Sequence, residues 1–163
     1  MNLIASAALD WGIGYQNDLL YRVSADMRQF RQKTTGNVVV MGMNTMLSMP
    51  GGKPLPNRTN IVLAHDRAFS PEGAQTVYSL DDLLALLRTY ARERVFIIGG
   101  AMLYETMLPY CDKAFITRFY AQKPADRFLP DLDKAEDWRL QKRSAMQQQD
   151  GLLFTYDLYV RKE

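Results

Sequence analysis

Four stretches of the chain are almost continuously apolar: Leu3 to Leu9, Val38 to Met41, Asn60 to Ala64 and Val95 to Ile98. Short runs without alternation suit strands buried on both faces of a parallel sheet. The segments between them carry helix signals. From Ser24 to Gly36, Asp26, Met27, Phe30 and Thr34 fall on one arc, which predicts a helix of about three turns with Ser24 as N-cap and Gly36 as stop. Ser79 to Leu87 has an N-cap, two first-turn acids and leucines at helical spacing. Met43-Asn44-Thr45 opens a short helix after Gly42, and another runs from the Gly99-Gly100 pair to Met107 or Leu108. Lys113 to Tyr120 reads as a further strand, whereas Asp10 to Asp18 is too irregular for helix or strand and is read as a loop. Pro50 to Arg58, with three prolines, is a rigid, extended loop. Trp138 to Met146 and Leu152 to Val160 alternate around the polar Gln147 to Gly151, the pattern of an antiparallel hairpin. The order predicts an α/β sheet with helices on both faces and a closing antiparallel pair.

Composition narrows the partners. A chain of 163 residues reads as one domain over residues 1–163, and a net charge of +2 is too small for a nucleic-acid footprint. With one cysteine (Cys111) and one histidine (His65), an internal disulfide is impossible and no structural metal cluster is expected. No basic region precedes the first apolar run, and no run reaches the roughly 20 residues that span a bilayer. A cytoplasmic monomer with no metal, membrane or nucleic-acid partner is the expectation.

Candidate chemistry centres on Asp26. A first-turn acid commonly just complements the helix dipole; a lone carboxylate on an apolar face, beside Tyr21, also suits a pocket for a cationic or amidine-like group. Arg58, ending the proline-rich loop, can offer a carboxylate a two-pronged contact, or be an ordinary solvated charge. Gly42 and the Gly99-Gly100 pair stand where strands turn into helices, which suits a phosphate, although the full Gly-x-Gly-x-x-Gly fingerprint is absent. His65 sits at the carboxyl end of the third strand, the edge where open parallel sheets bind ligands.

These motifs also occur in a particular order: Trp11-Gly12-Ile13-Gly14 with Leu19-Leu20, Ala25-Asp26-Met27 with Phe30, Val40-Met41-Gly42 with Thr45, Pro54-Leu55-Pro56-Asn57-Arg58, Ile98-Gly99-Gly100 with Tyr104, Thr117, and Asp126-Arg127-Phe128-Leu129-Pro130. Along nearly its whole length the sequence resembles the bacterial dihydrofolate reductases. The resemblance implies a central mixed, mostly parallel sheet and NADPH-dependent reduction of 7,8-dihydrofolate to 5,6,7,8-tetrahydrofolate. It implies that Asp26 orients the pterin and favours its N5-protonated form, that Thr117 holds Asp26, and that a water near Tyr21 relays the proton. Ile4, Ala5, Met27, Phe30, Met49, Leu55, Ile98 and Tyr104 would then line the substrate cleft, with Arg58 on the glutamate α-carboxylate. The loop from Asp10 to Asp18, including Ile13 and Gly14, would close over the nicotinamide together with Leu19. The rest of the NADPH site would come from Ser6, Gly42, Met43, Asn44, Thr45, Leu63, Ala64, His65, Ile98, Gly99, Gly100, Ala101, Met102, Leu103 and Tyr104. Antifolates such as methotrexate and trimethoprim are the implied inhibitors.

The chain departs from the family pattern at Tyr21, where Trp is common, at Met43 and Met102, where arginines are common, and at Arg127, where a small hydroxyl residue is common. The methionines leave His65, with Arg67, as the cations for the 2′-phosphate. Two rival readings are a related reductase of pyrimidine or riboflavin precursors and a catalytically silent nucleotide-binding protein; Asp26 together with Arg58 argues against the first, and Asp26 on an apolar face against the second.

Overall fold

The computed structural model describes residues 1–163. In chain order the first half comprises β1 (Asn2–Ala7), β2 (Gly12–Tyr15), β3 (Asp18–Leu19), α1 (Ser24–Thr34), β4 (Val38–Gly42), α2 (Met43–Leu47), β5 (Thr59–Leu63) and β6 (Ala74–Val77). Then follow α3 (Leu80–Leu87), β7 (Val95–Gly99), α4 (Ala101–Met107), β8 (Lys113–Phe119), β9 (Arg127–Phe128), β10 (Trp138–Arg143), β11 (Gln147–Gln149) and β12 (Leu152–Arg161). The main sheet runs β10-β12-β8-β1-β7-β4-β5-β6, with β11 beside β12. Its strands from β8 to β6 are parallel, while β12 is antiparallel to both β8 and β10. It is the mixed, mostly parallel sheet with a closing antiparallel element that the pattern predicts.

The continuous apolar runs have the reason proposed for them. Within β4, Val38 and Val40 pack on one side and Val39 and Met41 on the other, and Leu3 and Ile4 of β1 divide in the same way. Leu83 and Leu87 of α3 and Leu103 and Met107 of α4 cover the first face. Met46 of α2 and Phe30 of α1 cover the second. Ser79 caps α3 by accepting from the Asp82 amide at 3.1 Å.

Five local expectations are corrected. Residues 10–18 are not all loop: β2 and β3 form a hairpin, and β9 pairs with β2 as a third strand. The hairpin turns on Gln16 and Asn17, both at positive φ, with the Gln16 amide held 3.0 Å from an Asp126 carboxylate oxygen, a long-range partner that local pattern does not reveal. Gln147–Gln149 pairs with β12 instead of forming only a connection. The strand β6 was missed because Ala74–Val77 is short and half-polar, lying at the sheet edge. Pro50–Gly52 makes one tight 3-10 turn before the extended part of its loop. Finally, Ser24 is the first helical residue of α1 and does not cap it. The cap comes from Gln149, whose side-chain oxygen accepts from the Ala25 amide at 2.9 Å while its Nε2 donates to Ser24 Oγ at 2.6 Å.

Candidate active site

The winding of the sheet makes the cleft. After β4 the chain passes to α2 on one face, and after β7 it passes to α4 on the other, although β4 and β7 are neighbours. The two strand ends stay paired at Met41 and Gly99 while the helices after them leave toward opposite faces, so a gap opens between the helix starts, the kind of reversal point where open parallel sheets bind ligands. Glycines line the gap. A Cβ on Gly100 would come 3.4 Å from Thr45 Oγ1, and one on Gly99, at φ +134, would meet Thr45 Oγ1 and the Tyr104 hydroxyl at 3.5 Å. Gly42 and Gly100 are the N-cap positions of α2 and α4, and neither helix start has a side-chain cap. Tyr104 donates to the Ile4 carbonyl at 2.8 Å, tying α4 to β1 at this edge. Burial, and then the Asp26 charge, push its phenol pKa upward.

Asp26 lies across the sheet end from the glycines, in the first turn of α1. Thr117 of β8 donates to its Oδ1 at 2.5 Å. Loss of hydration raises the Asp26 pKa, and the Thr117 hydroxyl opposes part of that rise by bonding the charged form. Tyr156 of β12 stands opposite Thr117 in the ladder, and burial followed by the Asp26 charge raises its pKa too. Sequence reasoning did not single out Tyr156; the β12 alternation marks its face, but the register against β8 does not follow from it. Tyr21 is buried, stacked on Phe119 at 4.9 Å with the Lys123 amine 4.7 Å over its ring, and its hydroxyl has no protein partner. Burial raises its pKa, followed by the charge of Asp10.

Between these groups the wall is apolar. Ile4 and Ile98 share a cluster with the half-buried Phe30, Met49 and Leu55, while Met27, 53% exposed, stands at the rim. Arg58 lies beyond Phe30, its guanidinium carbon 5.9 Å from the ring centroid. Its Nε is buried without a hydrogen-bond partner, and one terminal nitrogen reaches Thr35 Oγ1 at only 3.4 Å. Burial and the like charge of Arg31 lower its pKa.

The remaining candidates divide. Ala5 and Ser6 lie on β1, Met43, Asn44 and Thr45 open α2, Ala101 opens α4, and Leu63, Ala64 and His65 end or follow β5 next to β4. These line one sheet edge. Leu19, 52% exposed, projects from the β2-β3 hairpin, and Gly14 pairs with it across the two strands. Ile13 and Leu103 instead pack into the core on the α3 and α4 face, so their side chains belong to the scaffold. Met102 is 81% exposed, and His65 and Arg67 are exposed, with Arg67 5.6 Å over the Tyr78 ring.

A parallel sheet edge with a glycine cradle, beside an apolar wall that holds a half-buried carboxylate, is the arrangement of a nicotinamide-nucleotide-dependent reductase. A family model described as dihydrofolate reductase matches residues 1–161. The chain is 36% identical over 128 residues to the dihydrofolate reductase of Bacillus subtilis, covering 78% of this chain and 73% of that one. It is 35% identical over 140 residues to that of Haemophilus influenzae, covering 86% and 84%. The solved structure of Enterococcus faecalis dihydrofolate reductase, complexed with NADP(H) and RAB-propyl, superposes with a TM-score of 0.87 at 28% identity, over 99% of this chain and 96% of that one. The chain belongs to the dihydrofolate reductase family, and its reaction is the NADPH-dependent reduction of 7,8-dihydrofolate to 5,6,7,8-tetrahydrofolate.

The raised pKa of Asp26 has a consequence for stability. The folded protein holds this proton more tightly than the unfolded chain, so the group's contribution is full below the unfolded value of about 3.9 and is lost as pH rises through the raised folded value. Asp26→Asn is therefore expected to melt above the wild type at neutral pH, with the gap closing as the buffer is taken below about pH 4. Thermal melts of both proteins across that range check it, and a gap independent of pH rejects it.

Proposed function

We propose that Asp26 is the group that orients the pterin and favours its protonation. The observation that carries this reading is the carboxylate itself: half-buried on an apolar wall and gripped by Thr117 at 2.5 Å. A carboxylate in such a place accepts hydrogen bonds from an amino group and an adjacent ring N–H in parallel, and its charge stabilises a positive ring. Thr117 positions it. Tyr21, with a buried hydroxyl that has no protein partner, is assigned to hold the water that delivers the proton to N5. Ile4, Phe30, Met49, Leu55 and Ile98, with Met27 at the rim, enclose the rings, whereas the Ala5 side chain packs on the opposite face of β1; Arg58, with its unpartnered Nε, takes the glutamate α-carboxylate.

The glycine edge fits the cofactor. A side chain at Gly100 would fill the space beside Thr45, so the backbone there is left open to a pyrophosphate, together with the uncapped starts of α2 and α4. When bound, the nicotinamide supplies the hydride. Leu19 and the β2-β3 hairpin keep water from it. With Met43 half-buried and Met102 carrying no charge, His65 and Arg67 serve the 2′-phosphate.

Three measurements test the assignments. Asp26→Asn is expected to lower turnover by orders of magnitude at neutral pH while remaining folded, and to regain rate as pH falls and N5 protonates from solvent; near-full activity at neutral pH rejects Asp26. Arg58→Leu is expected to weaken methotrexate by about 1.5–3 kcal/mol, as for a hydrogen bond to a charged group, and to leave trimethoprim, which lacks the carboxylate, nearly unaffected. Equal losses for both inhibitors would mean structural damage. His65→Ala is expected to narrow the ratio of NADH to NADPH dissociation constants at neutral pH; an unchanged ratio removes His65 from the site.

A further inference from the structure

Arg118 follows Thr117 directly on β8, so its side chain leaves the opposite face of the sheet. There it is 6% exposed, an uncommon place for a guanidinium. Its donors go mainly to a single turn. Nε donates to the Ala8 carbonyl at 3.1 Å and one terminal nitrogen to the Leu9 carbonyl at 2.7 Å. The other terminal nitrogen reaches Asp133 Oδ2 at 3.3 Å. Its plane also lies over Trp11, with the guanidinium carbon 3.9 Å from the ring centroid.

Trp11 is 4% exposed and held at φ +68, a conformation that a bulky residue rarely adopts without outside support. Arg118 covers one side of its ring, and Tyr159 meets it edge-on at 5.7 Å. The Tyr159 hydroxyl in turn donates to Asp133 Oδ1 at 2.7 Å, which closes the network. One guanidinium therefore fixes two consecutive carbonyls and the aromatic ring of the Ala8 to Trp11 turn. Immediately after that turn the chain becomes β2, and the hairpin carrying Ile13, Gly14 and Leu19 grows from it.

We propose that Arg118 is a positioning residue for the β2-β3 hairpin: it clamps the turn at the hairpin's base and so sets the hairpin's path over the nicotinamide side of the cleft. This rests on the placement of that hairpin against the cofactor argued above. Ala7 is the ladder partner of Arg118, and the carbonyls that the guanidinium takes are those of Ala8 and Leu9, the first two residues past β1, so its bonds fix the chain where it leaves the sheet. Consecutive residues of β8 thus serve the two halves of the cleft, Thr117 gripping the Asp26 side and Arg118 the hairpin side.

The test is amide hydrogen exchange on the full, ligand-free chain, together with NADPH and methotrexate dissociation constants, for Arg118→Lys and Arg118→Met. Arg118→Met is expected to speed exchange at residues 12–19 by about tenfold or more while amides of β4, β5 and β7 stay protected, and to weaken NADPH more than methotrexate. It should lower kcat while leaving the KM for dihydrofolate nearly unchanged. Arg118→Lys, able to serve only part of the same acceptors, should fall between Arg118→Met and wild type on every readout. Unchanged exchange at residues 12–19, or uniform acceleration across the sheet, overturns the anchor. Faster exchange with unaltered NADPH binding keeps the anchor and overturns the hairpin's placement against the cofactor. Should Arg118→Met fail to melt cooperatively, Asp133→Asn, which leaves the guanidinium and its carbonyl bonds in place, decides by the same readouts, with a smaller shift in the same direction expected.

Discussion

A carboxylate held in an apolar cleft is the constraint from which the architecture follows. Burial opposes the charge on Asp26, so the charge must be supported from several directions at once. Support comes from the positive end of α1, where the acid sits in the first turn, and from the Thr117 hydroxyl on β8. Neither helps unless the start of α1 is fixed. Gln149 fixes it from β11 by bonding Ala25 and Ser24, and β11 is itself held against β12. The antiparallel strands added to the parallel sheet therefore do more than close an edge: through Gln149, β11 and the β12 strand that holds it fix the helix start whose carboxylate Thr117 of β8 grips.

The other half of the cleft is set by β1. Its central position pairs it with β7 through Leu3 and Ile97, and with β8 through Ser6 and Thr117. The Ile4 carbonyl receives the Tyr104 hydroxyl, which places α4 and the glycine pair relative to the same strand that borders Thr117. The acid and the glycine cradle are thus located by neighbouring residues of a single strand. Small relative movements between the two sides are limited by the main-chain ladder of the sheet, which is rigid compared with side-chain contacts.

How far the sequence can be read depends on the range of the interaction that decides each feature. β1, β4, β5 and β7 were legible because burial on both faces leaves continuous apolar runs, and α3 because its cap, Ser79, is its own local neighbour. Features decided at long range were not legible. Gln149 caps a helix 124 residues earlier, and Asp126 holds the turn at Gln16 from 110 residues away, so neither the capping of α1 nor the β2-β3-β9 sheet follows from local pattern. Tyr156 escaped notice for the same reason, since its place beside Asp26 is a matter of register between β8 and β12. Asp26, Arg58 and the glycines were legible as candidates because each breaks the local rule around it: an acid on an apolar helix face, a cation ending a proline-rich loop, and paired glycines ending a buried strand.

The two arginines illustrate how a structure separates scaffold from site where a sequence cannot. Both are basic residues next to apolar or rigid segments, and composition treats them alike. Arg118 directs its donors to the carbonyls of Ala8 and Leu9 and to Asp133, so each of its three nitrogens has a partner within the protein. Arg58 has a buried Nε with no partner, a marginal contact to Thr35, and a pKa lowered by burial and then by the like charge of Arg31. A guanidinium cannot shed its proton, so an unpartnered one beside another cation remains an unmatched charge until an anion joins it. The arginine with a partner on every nitrogen serves the fold; the one with an unpartnered Nε is the one proposed for the substrate carboxylate.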